Sequence, residues 1–189
     1  MNNSILAING GKPVRTNTLQ YGKQTIEIAD IQAVIKVLNE NKYLTTGPKI
    51  NQFETQMTKY TGARYGVAVS SATAGLHCAI MTCNIGEGDE VIVPAISFVA
   101  SANCVLYCGA KPVFVDIEED TLNIDHKKIE KEITSKTKAV IMVDMAGYPA
   151  NYNEIYKICK KYNLILIQDA AHSIGTSLLI NDKYKPNIY

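Results

Sequence analysis

Residues 164–175 read LILIQDAAHSIG, and the reading of this stretch decides the fold. Leu164, Ile165, Leu166 and Ile167, followed by Gln168, run straight into Asp169, two alanines, His172 and a turn of small residues. A short continuous apolar run is the mark of a strand buried on both faces, as in a parallel sheet. An ionisable group at the carboxyl end of such a strand stands where open α/β sheets hold their ligands. Taken alone, the segment leaves two readings open: Asp169 as a ligand-binding carboxylate, or Asp169 as the cap of the following turn.

Upstream, the chain alternates between strand and helix patterns. Strands are predicted at 66–70, 90–93, 112–116, 139–144 and 164–169. Helices are predicted at 72–83, 98–107, 125–133 and 152–162, between successive strands. Such βαβ repetition means an α/β fold, with a mostly parallel sheet and helices on both faces. Two further helices precede it. The first, 27–38, carries Ile28, Ile31, Val34, Ile35 and Leu38 at helical spacing; the second starts at Pro48 and carries Ile50, Phe53, Met57 and Tyr60. Residues 1–26 contain Gly10, Gly11 and Pro13 and show no period, so they are expected to form an extended amino-terminal arm ahead of a domain at 27–189. Asn9-Gly10-Gly11-Lys12 lacks the second half of a phosphate loop, and no helix follows it.

Composition narrows the function. The 189 residues carry a net charge of +1, which supplies no basic excess for nucleic acid or an anionic membrane surface. The start of the chain lacks a signal-peptide pattern. Residues 91–108 are apolar for about the length of a membrane span, but Pro94, Ser97, Ser101 and Asn103 interrupt them. Five cysteines (78, 83, 104, 108 and 159) show no zinc spacing, so no metal site is expected and reduced thiols in a cytoplasmic protein fit better.

The chemistry gathers at strand ends. After the first strand, Ser70-Ser71-Ala72-Thr73 leads into a helix whose free N–H groups and positive end could seat a phosphate, while Ser71 could equally be an N-cap. After the second, Phe98 is either core or a lid over a planar ligand. Asp116 precedes an acidic loop and reads as a turn residue, whereas Asp144 stays a candidate without an assigned role. His77 reads as packed and His126 as solvated, which leaves His172 as the histidine of a plausible site. A phosphate seat, an aromatic lid, a carboxylate and a nearby histidine together suit a planar, phosphorylated nitrogen heterocycle. The carboxylate would keep the ring nitrogen protonated, as pyridoxal phosphate requires to act as an electron sink.

These residues resemble a known family. LAINGGKPVR, LTTGPKINQFE, VAVSSATAGLH, GDEVIVPAISFVASANCVLYCGAKPVFVDI, TKAVIMVDMAGYPAN and DAAHSIGT are similar, in order, to blocks of the DegT/DnrJ/EryC1/StrS sugar aminotransferases. The resemblance implies the large domain of the fold type I pyridoxal phosphate-dependent transferases. It implies amination of a nucleotide-linked keto sugar, with glutamate as amino donor, in surface-polysaccharide or deoxyamino-sugar biosynthesis, and a homodimer as the complete enzyme. SATAGLH together with PAISFVASANCVLYCGA looks most like the branch that aminates carbon 4 of UDP-linked 4-keto-6-deoxy sugars on the way to pseudaminic acid.

Carried over by position, Ala72 and Thr73 match the phosphate seat, Phe98 the ring-stacking aromatic, and Asp169 the partner of the pyridinium nitrogen. His172 stands against the phenolic oxygen, where many members have Gln. Ala72 replaces the family's common glycine, and Asp144 stands where His is frequent. The Schiff-base lysine falls beyond Tyr189, and Lys183 and Lys185 come too early, in a polar hairpin that precedes it. The resemblance therefore implies a truncated, incomplete large domain, inactive alone, with an unpaired sheet edge. Two alternatives stand beside this expectation: a non-catalytic remnant or cofactor-binding module, and a relative in which histidine replaces the lysine and the sugar is dehydrated.

Overall fold

The structure, a computed structural model, describes residues 5–20, 22–40, 43–180 and 183–186. It divides into two compact units, residues 1–47 and 48–189. The first holds a 3₁₀ turn at Ala7–Asn9 and the helix α1, Ile28–Glu40. The described residues of the expected arm, 5–20 and 22–26, contain no other regular element; residues 1–4 and 21 lie outside them.

The second unit opens with α2 (Pro48–Thr61) and α3 (Ala72–Thr82). There follow β1 (Glu90–Pro94), α4 (Ala100–Tyr107), β2 (Lys111–Val115), α5 (His126–Ile129), β3 (Thr137–Val143), α6 (Tyr152–Tyr162) and β4 (Ile165–Asp169). The four strands form a parallel sheet in the order β2-β1-β3-β4. From β1 the chain steps outward to β2 and then crosses back to β3 on the other side of β1. In open α/β sheets ligands bind outside the carboxyl ends of the strands near such a reversal.

Side-chain alternation builds a core on each face of the sheet. On one face, Val91, Val93, Ala139, Ile141, Val143 and Ile167 pack with Leu76 and Ile80 of α3 and with Cys104 and Val105 of α4. On the other, Ile92, Val115, Val140 and Met142 pack with Ile129 of α5 and with Ile155 and Cys159 of α6. All of β1 and nearly all of β3 is buried, as expected for strands covered on both faces. The edge strands β2 and β4 are partly exposed. Beyond β4, Ser177–Ile180 (β5) and Lys183–Pro186 (β6) pair antiparallel, as the expected hairpin requires; residues 181 and 182 lie outside the described residues.

Two expectations are corrected. Residues 66–70 join no strand: the Ala68 N–H donates to Glu54 Oε1 at 2.8 Å, Val67 and Val69 are exposed, and no described strand offers a ladder. The sheet thus has four strands among the described residues, not five. The helix expected over 125–133 is α-helical only to Ile129 and tightens into a 3₁₀ turn at Glu130–Glu132 before the chain extends toward β3. No described helix is long and apolar enough to cross a membrane.

Two predictions follow from the packing. Ile141, fully buried in the central strand β3, should cost about 2–5 kcal/mol on truncation to Ala, read by urea denaturation. Val34→Ala, on the exposed α1, should cost below about 1 kcal/mol. Burial pushes the thiols of Cys104 and Cys159 up to about 11. At about pH 8 both should resist a thiol reagent until the chain unfolds, while exposed Cys78 reacts in the native state.

Candidate functional site

Val143 and Asp169 are register partners at the ends of β3 and β4, and the Asp144 N–H donates to the Asp169 carbonyl at 3.1 Å. This pairing sets the two residues at neighbouring strand ends with their carboxylates on opposite faces of the sheet: Asp144 meets Gln168, and Asp169 meets Ser101 of α4. They have different surroundings.

Asp144 is 1 % exposed and encircled by donors. Its Oδ1 accepts from the Ala150 N–H at 3.0 Å; its Oδ2 accepts from Gln168 Nε2 at 2.8 Å and from the Ser173 hydroxyl at 2.7 Å. The loops after β3 and β4 are stitched together around it. Asn123 donates to the Tyr148 carbonyl and accepts from the Met145 N–H, and the Thr176 hydroxyl donates to the Gly147 carbonyl at 3.0 Å. Gly147 has φ +85°, and a Cβ there would stand 2.8 Å from the His172 carbonyl oxygen, so glycine is required for the loops to approach. Asp144, left without a role by the sequence, is the clamp that holds the loop carrying His172.

Asp169 is 8 % exposed and its two oxygens are met from two elements. Oδ1 accepts from the Ala171 N–H at 3.2 Å, the turn-closing bond that the plain reading of this residue expects. Oδ2 accepts from the Ser101 hydroxyl of α4 at 3.0 Å. Ser101 is itself 1 % exposed and lies 2.8 Å from the Ser97 hydroxyl.

Beside Asp169 is a cavity of about 210 Å³, lined by Ala72, Gly75, Leu76 and Ala79 of α3 and by Ile167 to Ala171. Ala72 opens α3. Ser71, extended at φ −164° and ψ 161°, caps the helix by accepting from the Ala74 N–H at 3.2 Å. The capping role for Ser71 is therefore realised. The N–H groups of Ala72 and Thr73 have no acceptor within the helix and remain free for an anion at the positive helix end. One small cavity thus has a buried anion at one side and a helix amino terminus at the other.

Of the sequence-predicted residues, Ala72 and Asp169 share this cavity. Thr73 follows Ala72 in the first turn of α3, half-buried and outside the cavity wall. Phe98 is 69 % exposed; its carbonyl accepts from the Ser101 N–H at 3.0 Å, which ties it to the turn that reaches Asp169. His172 is exposed, three residues beyond Asp169, and also outside the wall. Sequence reasoning missed Ser101, Ser97 and Asn123. The signal for the first two was present, as hydroxyls four residues apart in an otherwise apolar segment.

Elsewhere, His126 is not solvated as expected. Its side chain is 17 % exposed and its Nδ1 lies 3.1 Å from Glu118 Oε1. Glu118, Asp125 and His126 bring ligand atoms within 4.8 Å of one another, and each is engaged by the fold: the Thr121 hydroxyl donates to Glu118, and Asp125 caps α5. A larger cavity, about 450 Å³, lies along α6 and β4 and has no carboxylate or histidine in its wall.

The donor set fits pyridoxal phosphate. A buried carboxylate suits a ring nitrogen that must stay protonated, and free N–H groups at a helix start suit the phosphate.

The sequence profile of the DegT/DnrJ/EryC1/StrS aminotransferase family matches residues 24–182. Solved structures agree. An aminotransferase from Psychrobacter cryohalolentis is 35% identical with a TM-score of 0.78, over 82% of this chain and 39% of its own. NtdA from Bacillus subtilis, solved with bound cofactor PMP, is 38% identical with a TM-score of 0.74, over 77% of this chain and 33% of its own. DesV from S. venezuelae is 34% identical with a TM-score of 0.72, over 76% and 39%. The chain spans between 33% and 39% of the length of these three proteins.

If Asp144 is the clamp described, Asp144→Ala strands the Gln168, Ser173 and Ala150 donors. It should lower the unfolding free energy by about 2–4 kcal/mol in urea denaturation, against less than about 1 kcal/mol for exposed Glu119→Ala.

Proposed function

The chain belongs to the DegT/DnrJ/EryC1/StrS aminotransferase family, and we propose that it binds pyridoxal phosphate in the cavity between α3 and the end of β4. The observation that carries this reading is the Asp169 carboxylate, buried and held by two donors beside a helix amino terminus.

In this reading each residue has a task that its chemistry suits. Asp169 holds a proton on the ring nitrogen by supplying the opposite charge at short range. Ala72 and Thr73 bind the phosphate through the N–H groups at the start of α3. Phe98, anchored by its carbonyl in the turn ahead of α4, covers the ring and excludes water from it. His172, on the loop clamped by Asp144, donates to the phenolic oxygen. The bound cofactor supplies an electron sink for the carbon from which a proton is removed.

The reaction proposed is amino transfer to a nucleotide-linked keto sugar from an amino-acid donor, glutamate by resemblance. The substrate class we favour is a UDP-linked 4-keto-6-deoxy sugar. The setting is the cytoplasm, with the complete enzyme a homodimer.

Titration of the 189-residue chain with pyridoxal phosphate, followed by absorbance, tests the reading. Saturable binding is expected. Asp169→Asn should weaken it about 10- to 100-fold, the worth of a charged hydrogen bond, and pyridoxal without its phosphate should bind at least about ten-fold more weakly. Absence of binding, or an Asp169→Asn chain that binds like the parent, would overturn it.

A further inference from the structure

We propose that Ser101, backed by Ser97, is the positioning residue that aims the Asp169 carboxylate into the cavity beside α3. The inference deepens the proposed function, because it rests on Asp169 being the group that meets the cofactor ring.

The direction of the contacts follows from the donor inventory. An ionised carboxylate can only accept, so in the 3.0 Å contact the Ser101 hydroxyl donates to Asp169 Oδ2. A hydroxyl carries one proton. Ser101 has spent its own, so in the 2.8 Å contact with Ser97 it is the acceptor and Ser97 the donor. The hydroxyls therefore run in one sense, Ser97 to Ser101 to Asp169, and each bond polarises the next. Ser101 is 1 % exposed, so water has no ready access to replace its hydroxyl.

The geometry also explains why two donors are used. The Ala171 N–H holds Oδ1 from the loop after β4, and Ser101 holds Oδ2 from α4. Donors on opposite oxygens, from separate elements, fix rotation of the carboxylate about its Cβ–Cγ bond. Each oxygen accepts one of these bonds and keeps a lone pair for a ligand. Without Ser101 the group keeps only its local turn bond, and its plane is free to swing. Phe98 shares the turn, since its carbonyl accepts from the Ser101 N–H, so the same residue couples the lid to the carboxylate.

The test compares pyridoxal phosphate affinity for the 189-residue chain and its Ser101→Ala, Ser101→Thr, Ser97→Ala and Asp169→Asn variants, with Ser101→Ala combined with Asp169→Asn. Ser101→Ala should weaken binding about ten-fold, Ser101→Thr should stay within about three-fold of the parent, and Ser97→Ala should lose about two- to three-fold. In the Asp169→Asn background, Ser101→Ala should cost no more than about two-fold, because its effect passes through the carboxylate. Ser101→Ala at parental affinity, or a fully additive double variant, would overturn the proposal. A second readout needs no cofactor: the Asp169 ¹³Cγ resonance at neutral pH should move in Ser101→Ala and return in Ser101→Thr. If the parent chain takes up no pyridoxal phosphate, the proposed function fails, while an unmoved resonance is what refutes the role of Ser101.

Discussion

A carboxylate withdrawn from water must be met by donors, since leaving a charge unpaired in a protein interior costs several kcal/mol. Two carboxylates at the rim of this sheet are withdrawn in that way, and the surrounding architecture answers the constraint. Asp144 is encircled and turned inward, spending its capacity on Ala150, Gln168 and Ser173. Asp169 is held by one donor on each oxygen and opens onto a cavity. The first arrangement builds the loops; the second leaves a charge to offer.

Position in the sheet gives these groups their meaning. The order β2-β1-β3-β4 reverses the chain direction of travel between β1 and β3, and loops on either side of that point diverge. Ser97, Phe98 and Ser101 leave from β1, Asp144 from β3 and Asp169 from β4. The central strands β1 and β3 are buried on both faces and carry the partly exposed edge strand β4 alongside them. A buried hydroxyl in α4 can therefore fix a carboxylate 68 residues further along the chain.

Much of this was legible in the residues. Apolar runs at 91–93 and 139–143 read as doubly buried strands because a parallel sheet leaves no wet face, whereas the run at 165–167, read the same way, lies at an edge and is only partly buried; helical spacing marked α1 and α2. Val67 and Val69 alternate as a strand would, but a strand exists only with a ladder partner, and pairing is not written into five residues. The partner of Asp169 was hidden for the same reason. Ser101 looked like an interruption of an apolar segment, and only the packing of α4 on the sheet reveals that its hydroxyl meets a charge. His126 misled in the opposite sense: its polar neighbours suggested solvent, yet Glu118 folds back to face it. Membership of the family, by contrast, was readable from ordered blocks that span both the strands and their ends.

The account stands on the charge of Asp169 acting on a protonated ring nitrogen. Nitrogen-15 NMR of the chain mixed with pyridoxal phosphate labelled at that atom measures it directly. The predicted result is a protonated ring nitrogen in the parent chain and an unprotonated one in Asp169→Asn at the same slightly alkaline pH. A nitrogen already unprotonated in the parent, or one that stays protonated without the carboxylate, would contradict it.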